Sequence, residues 1–380
     1  MLNQLKILHL FSNWKWTGPA EHALHLVSCL KDRGHDLTFA CGKPSHGVKE
    51  SIIKAAEQRK IIPLTSFHLN KHFNVLENLA DFIQLERFLK KNHFHIIHTH
   101  LTNDHFLGSI SSRRFTQIKV IRSCYDGEEL KKTWINRIIF SRLTDGVICV
   151  SEKARRSLIE TFNLPADKVW KMPVPVDGER FSPEKRSEEV RSGYGIKRDE
   201  VVVGIVARVQ PHRRFDVLLS AIALTIKKIP NLKLMIVGRG THIEKVAKKP
   251  VQETGLSPYV IFTGYRGEDY VETLACLDIK VFLVPGTDGA CRAVREAMAT
   301  GIPVIAARRG MLPEIVDDGI TGLVIEDTPE NLSQAIERLV LNPGLRKQMG
   351  EKARIKALSE FSLSTFGERV EEIYRKVIEA

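Results

Sequence analysis

The chain has 380 residues, 43% of them hydrophobic, and a formal net charge of +12. That length suits two domains of ordinary size, and the six cysteines, at 29, 41, 124, 149, 276 and 291, form no C-x-x-C pair, which argues against a zinc ribbon or disulfide framework and favours reduced thiols in a cytosol. No run of about 18 apolar residues is present, so no membrane-spanning helix is expected, while the excess of base calls for an anionic partner: a phosphate-bearing substrate, an acidic membrane surface or nucleic acid.

Residues 6–11 form the first predicted strand, entered without a signal-peptide cleavage pattern. Asn13-Trp14-Lys15-Trp16-Thr17-Gly18-Pro19 follows as a loop. Ala23, Leu24, Val27 and Leu30 then recur at helical spacing in a helix over 20–33, which Gly34 caps. A strand over 37–41 completes the unit. Gly18 therefore lies past the first strand's C-terminal end, where a phosphate- or sugar-binding turn and a plain loop both fit. Next, 61–64 reads as a strand and 75–91 as an amphipathic helix. In Phe94-His95-Ile96-Ile97-His98-Thr99-His100, strand alternation sets His98 and His100 on one face. His93, His95, His105 and Asp104 lie nearby, and a metal cluster is one reading. Without cysteine or paired carboxylates, histidines that hydrogen-bond locally are the simpler one, and no metal is expected.

The stretch 111–156 carries eleven basic residues against five acidic ones. Within it Trp134, Ile135, Ile138, Ile139 and Leu143 fit an amphipathic helix with Lys131, Lys132, Arg137 and Arg142 around it. Such a helix faces a core, or lies at the boundary of an anionic membrane surface. The basic residues lack interleaved stacking aromatics and no nucleic-acid motif occurs, so nucleic acid is not expected as a partner.

Pro173, Pro175 and Pro183 make 171–183 an extended linker. A strand over 201–207 then delivers Arg208, followed by Pro211-His212-Arg213-Arg214 and a helix over 215–228. Guanidinium groups at a strand-to-helix loop bond oxyanions bidentately, so Arg208 and Arg213 are a candidate diphosphate clamp. The strand over 232–237 ends in Gly238-Arg239-Gly240, a G-x-G between strand and helix, and the strand over 260–263 ends in Gly264-Tyr265-Arg266. The run 279–284 is a further strand, apolar apart from Lys280. Pro285-Gly286 breaks it, Asp288-Gly289 is a turn dipeptide, and a helix over 290–300 is stopped by Gly301 and Pro303. The turn before that helix leaves backbone N–H groups free to meet an anion. Glu296 follows Asp288 by eight positions, about 80° past two turns, so the two acids lie roughly on one side. Strands over 304–306 and 323–325 and helices over 329–341, 345–356 and 364–379 continue the alternation that marks a parallel, doubly wound sheet.

The stretch D-G-A-C-R-A-V-R-E-A-M-A-T-G-I-P-V-I-A, residues 288–306, resembles the signature of family 4 retaining glycosyltransferases of the GT-B fold, E-G-F-G, four residues, then E-A-M-A-x-G-x-P-V. The resemblance continues through R-G-M-L-P-E-I-V-D-D-G-I-T-G-L-V at 309–324. It departs at Asp288, where the family has Glu, and at Cys291, where it has the second loop glycine. The resemblance implies that Asp288, Gly289, Ala290, Cys291 and Arg292 meet the donor sugar and its phosphates, and that Glu296 holds the ribose. I-I-H-T-H resembles the family's D-V-V-H-x-H, which places His100 at the donor sugar. The glycine pair of the first loop is reduced to Gly18, with Thr17 at the first position. Arg208 matches the Arg of the family's G-R-L, Arg213 falls on the Lys of its E-K-G turn and Arg214 on the glycine. Tyr265 falls among nucleobase contacts, and Asp177, Phe181 and Pro183 match the family's inter-domain N-G-V-D…F-x-P.

The expectation is an α/β chain of two Rossmann-like, doubly wound parallel-sheet domains facing a cleft. The ranges are 1–175 for the acceptor, 176–358 for the nucleotide sugar and Gly238 with it, and 359–380 for a helix crossing back. The expected activity is transfer of a sugar from a nucleotide diphosphate sugar to a glycan or lipid-linked saccharide of cell-envelope or lipopolysaccharide type. It would occur in the cytoplasm at the inner face of the membrane, with peripheral contact to anionic lipid. No Asp-x-Asp occurs, so Arg208, Arg213 and the helix after Asp288 would stabilise the leaving diphosphate without a metal or other cofactor. His100 and Asp288 complete the expected catalytic set. The resemblance implies a front-side attack, since no carboxylate is placed as a nucleophile. A sugar-nucleotide epimerase, a phosphorylase or a silent nucleotide-sugar binding protein is the alternative on the same fold.

Overall fold

The computed structural model describes residues 4–44, 51–125, 130, 132–285 and 291–380. The chain divides into two compact units, residues 1–175 with 363–380, and residues 176–362.

The first unit alternates strand and helix: β1 Lys6–Phe11, α1 Gly18–Asp32, β2 Asp36–Cys41, α2 Ile52–Gln58, α3 Val75–Asn92, β3 Ile96–Thr99, α4 Thr102–Ser112, β4 Lys119–Cys124, α5 Trp134–Arg142, β5 Gly146–Cys149, α6 Glu152–Phe162 and β6 Val169–Lys171. The second runs α7 Glu188–Gly193, β7 Val201–Val206, α8 Phe215–Ile226, β8 Leu232–Val237, α9 Lys249–Glu253, β9 Val260–Gly264, α10 Tyr270–Ala275, β10 Ile279–Phe282, α11 Arg292–Ala299, β11 Val304–Ala307, α12 Leu312–Ile315, β12 Gly322–Ile325, α13 Pro329–Leu341 and α14 Pro343–Glu360. The last helix, α15 Leu363–Glu379, returns to the first unit.

Among the described residues each unit holds a six-stranded sheet, ordered β2-β1-β3-β4-β5-β6 and β12-β11-β10-β7-β8-β9, with these strand pairs parallel. The strands are short apolar runs such as V-V-V-G-I-V in β7, as burial on both faces demands. In the second unit one apolar cluster centres on α8, α13 and β8, and another on α10, α11 and β11. The strand order reverses between β1 and β3, and again between β7 and β10. Ligands of doubly wound sheets bind at the strands' carboxyl ends beside such reversals.

Two local features decide what stands there. α11 is closed just past its end by Gly301, whose φ of +77° is left-handed; its N–H reaches the Met298 carbonyl and the Ile302 N–H reaches the Ala297 carbonyl, each at 2.9 Å. That paired closure fixes where β11 begins. The strand expected over 61–64 is absent: Pro63 removes a donor, and one residue, Leu64, bridges to β2 through Phe39 and Cys41. In the first unit α15 packs on α1, where Glu371 accepts from Arg33 Nε at 2.5 Å, and Tyr374 shares a 2.5 Å hydrogen bond with His98 Nδ1.

Candidate functional site

A pocket of about 450 Å³ opens at the carboxyl ends of β7 and β8. Its lining includes Arg208, Gly238, Arg239, Tyr265, Arg266, Tyr270, Arg292 and Glu296. Arg208 is exposed and makes no hydrogen bond or ion pair among the described residues. Arg239 stacks over Tyr265, its guanidinium carbon 4.7 Å from the ring centre. Arg266 is tied to Asp269 at 2.9 Å. Among the described residues, four guanidinium groups around one buried carboxylate give the pocket an excess of positive charge, suited to a diphosphate. The first turn of α11, Arg292 and Ala293, also lines the pocket, and the positive end of a helix dipole favours an anion.

Glu296 is 3% exposed on α11. Its Oε1 accepts from Arg292 Nε at 2.7 Å and its Oε2 from the Tyr270 hydroxyl at 2.5 Å. Burial, then the adjacent carboxylate, push the Tyr270 phenol well above its ordinary value, so it stays a donor. A carboxylate offers about four lone-pair sites, so two remain for hydroxyls of a ligand. Lys280, from β10, is fully buried and its Nζ lacks a hydrogen-bond partner. Burial lowers its ammonium to about 7, with the Glu296 charge acting in the opposite direction.

Gly238 has a structural duty besides lining the pocket. Its φ is +142°, and a Cβ there would stand 2.1 Å from the Ala207 carbonyl. Only glycine lets β8 run this close to the chain leaving β7. The two positions where the resembled family has glycine, Arg214 and Cys291, keep glycine-like backbone without it. Their φ values are 60° and 45°, both left-handed. Arg214 is anchored by Asp327 at 2.9 Å, and Cys291 starts α11.

In the first unit three histidines stack where β1 meets β3. Ring centres of His98 and His100 are 4.7 Å apart, and His9 lies 5.2 and 5.3 Å from them. His100 Nε2 contacts His9 Nδ1 at 3.1 Å and its Nδ1 contacts the Tyr125 hydroxyl at 2.6 Å. Burial, then His98 and His9, hold His100 well below the usual imidazole value. Burial thus favours the neutral ring, and both of its nitrogens are engaged. The neighbouring histidines also bond locally: His98 to Ser123, His105 to Thr144, and His95 to the Lys6 amide. Among the described residues no cluster of three His, Cys, Asp or Glu side chains is set to hold a metal.

Of the residues singled out from sequence, Arg208, Gly238, Tyr265, Arg292 and Glu296 meet in one pocket. Arg213 donates to the Val284 carbonyl at 3.0 Å and secures the chain leaving β10; it is not among the pocket's lining residues. Gly18 opens α1, and no neighbour lies within 4 Å of its would-be Cβ, so packing does not require glycine there. His100 lines a separate pocket of the first unit. Asp288, Gly289 and Ala290 lie outside the described residues. Sequence reasoning did not select Arg239, Arg266, Tyr270 or Lys280. The first two follow strand ends and the last is a lone charge in an apolar strand, which were usable signals; Tyr270 carried none. Among the described residues no helix is long and apolar enough to cross a membrane.

Comparison with known proteins gives two family matches side by side: Glycosyltransferase Family 4 over residues 16–180 and Glycosyl transferases group 1 over residues 186–356. The GDP-mannose-dependent alpha-(1-6)-phosphatidylinositol monomannoside mannosyltransferase of Mycolicibacterium smegmatis is 32% identical over 60% of this chain and 62% of its own length. The D-inositol 3-phosphate glycosyltransferase of Saccharomonospora viridis is 30% identical over 62% of this chain and 56% of its own. The chain thus spans about three fifths of the length of these relatives. Among solved structures, Anabaena HepE in complex with UDP superposes with a TM-score of 0.82 over 98% of this chain and 100% of that one, at 19% identity. A glycosyltransferase from Rickettsia africae superposes with a TM-score of 0.84 over 99% of both chains, at 18% identity.

Proposed function

The chain belongs to the family 4, group 1 glycosyltransferases of the GT-B fold, and from that premise we propose that it transfers a sugar, with retention, from a nucleoside diphosphate sugar to a glycan or lipid-linked saccharide. The observation that carries the reading is the arginine-lined pocket around Glu296. Glu296 takes the ribose hydroxyls on its two remaining lone-pair sites, and Tyr265, with Arg239 stacked on it, offers a face to the base. Arg208 and the positive N-terminal end of α11 meet the diphosphate. As the glycosidic bond breaks, negative charge grows on the leaving phosphate, and preorganised donors stabilise that charge more than the ground state. Removal of one such donor typically slows the chemical step by about 100- to 1000-fold. No metal is assigned a role.

The acceptor falls to the first unit. Its helices α3 and α5 present apolar side chains to solvent: Val75 is 69% exposed, Leu76 79% and Trp134 73%. Arg87, Lys90 and Lys91 lie toward the C-terminal end of α3, and Lys132 and Arg137 lie at α5. That pattern supports an acceptor held at an anionic membrane surface, on its cytoplasmic side. Trp134 is exposed, so the core-facing alternative for α5 holds for Ile139 and Phe140 alone among its buried residues.

Phosphorus NMR on a panel of nucleotide sugars tests the proposal. Release of nucleoside diphosphate that speeds up with acceptor is the expected result. Conversion of the donor without release would mark an epimerase, and an inert bound donor a silent binding protein.

A further inference from the structure

We propose that a pocket of the first unit, between the start of α4 and α6, seats an anionic group of the acceptor, a phosphate or a carboxylate, on the guanidinium of Arg122. The inference rests on the acceptor reading above and names what that acceptor carries. Arg122 stands on β4, 5% exposed, in the lining of a cavity of about 200 Å³. Its Nε and Nη1 are buried without a hydrogen-bond partner. The nearest carboxylate among the described residues is Asp104, whose Oδ1 lies 3.7 Å from Nη1, too far for a hydrogen bond.

Asp104 is committed elsewhere. Its Oδ1 accepts from the His100 and Leu101 amides at 3.0 and 2.8 Å, and its Oδ2 from the Ser12 amide at 2.7 Å. It fixes the turn after β3 and leaves the arginine's donors unmet. Among the described residues the other titratable neighbours bring no negative charge. His98, His100 and His105 are neutral, pushed down first by burial and to a lesser extent by Arg122. Burial holds the Tyr125 phenol up. A guanidinium carries five N–H donors in a planar fork, and leaving them buried and unpaired is costly. An acid with two oxygens in one plane answers that fork bidentately. The walls suit it: Pro19, Ala154, Leu158 and Phe162 are apolar and strengthen the field of the buried charge, while exposed Lys71 adds a second cation at the rim. At about 30 Å³ per water, the cavity holds roughly six or seven waters, room for one small acidic group.

The test is calorimetry on the full chain saturated with the nucleoside diphosphate it binds, so that the arginines of the second unit are occupied. Inorganic phosphate is titrated in one arm and glucuronate in the other. Saturable heat is expected in at least one arm, and the responding arm identifies the acid. Affinity should fall at least tenfold in Arg122→Met and less in Arg122→Lys, with nucleotide affinity within twofold of wild type in both. Arg122→Met should melt no lower than wild type; a loss of several degrees would mean that Arg122 serves only to balance Asp104. Equal anion binding by wild type and Arg122→Met, or none in either arm, overturns the proposal. A wild type that binds no nucleotide counts against the donor reading instead, and the anion difference between wild type and Arg122→Met is then read without nucleotide.

Discussion

Tyr270 donates its phenolic hydrogen to Glu296 at 2.5 Å, joining α10 to α11 across the floor of the arginine-lined pocket. This bond holds Oε2 and Arg292 holds Oε1, which leaves two lone-pair sites of the carboxylate for a ligand. Glu296→Gln should keep the fold but weaken nucleotide binding by about 1–3 kcal/mol, the cost of leaving buried polar partners unpaired. Tyr270→Phe should cost less, about 0.5–1.5 kcal/mol. The double variant should bind no worse than Glu296→Gln alone, since the two act through one bond. Calorimetric affinities that add fully would contradict this coupling.

Arg214 keeps a left-handed backbone, φ 60°, ahead of α8. A side chain in that region costs about 1–2 kcal/mol relative to glycine. Arg214→Ala and Arg214→Gly both lose the ion pair with Asp327, so their difference isolates the backbone. The glycine variant should be the more stable of the two by about 1 kcal/mol in urea denaturation. An alanine variant as stable as the glycine one would show that the backbone relaxes away from this conformation.

Lys280 gives a pH signature. Its folded value, about 7, lies below the ordinary 10.5. Between those two values the unfolded chain binds more protons than the folded one, so stability rises with pH across that window. Below about pH 7 the buried ammonium costs up to about 5 kcal/mol on this linkage. Lys280→Met should therefore be more stable at pH 7, and its stability should change less between pH 7 and 9.5. Denaturation at the two pH values reads the slope; an unchanged slope would assign it to other groups.

The exposed apolar residues of α3 and α5 predict sedimentation with anionic vesicles that fades with salt. Each basic residue near such a surface contributes about 1 kcal/mol. Lys132→Glu and Leu76→Ser/Leu79→Ser should both weaken it, the first through charge and the second through apolar contact. Equal binding to neutral and anionic vesicles, or to neither, would favour a soluble acceptor.

The parallel sheets were legible because buried strands leave short apolar runs between helices of period 3.6, and Gly301 marked the end of α11 as a helix-capping glycine does. The pocket was legible where a residue follows a strand end, as Arg208, Gly238 and Tyr265 do. Four things were not. Tyr270 reaches Glu296 only through the packing of α10 on α11, which no spacing encodes. His100 looked like a site residue by motif, but the stack with His9 and the bond to Tyr125 depend on how β1 and β4 flank β3. Arg213 looked equivalent to Arg208, yet its guanidinium donates to the Val284 carbonyl, a contact that no spacing encodes. The helix stripe of α3 read as amphipathic from its periodicity, but not which apolar residues stay uncovered.

The central claim is that the second unit binds a nucleoside diphosphate on its arginines. Titration of UDP and GDP into wild type and Arg208→Ala tests it most directly. One nucleotide should bind wild type at a single site. Arg208→Ala should bind it about ten- to a hundredfold more weakly, the loss of one charge-assisted hydrogen bond of about 1.5–3 kcal/mol, with an unchanged melting temperature. Failure of both nucleotides to bind, or equal affinity in Arg208→Ala, would contradict it.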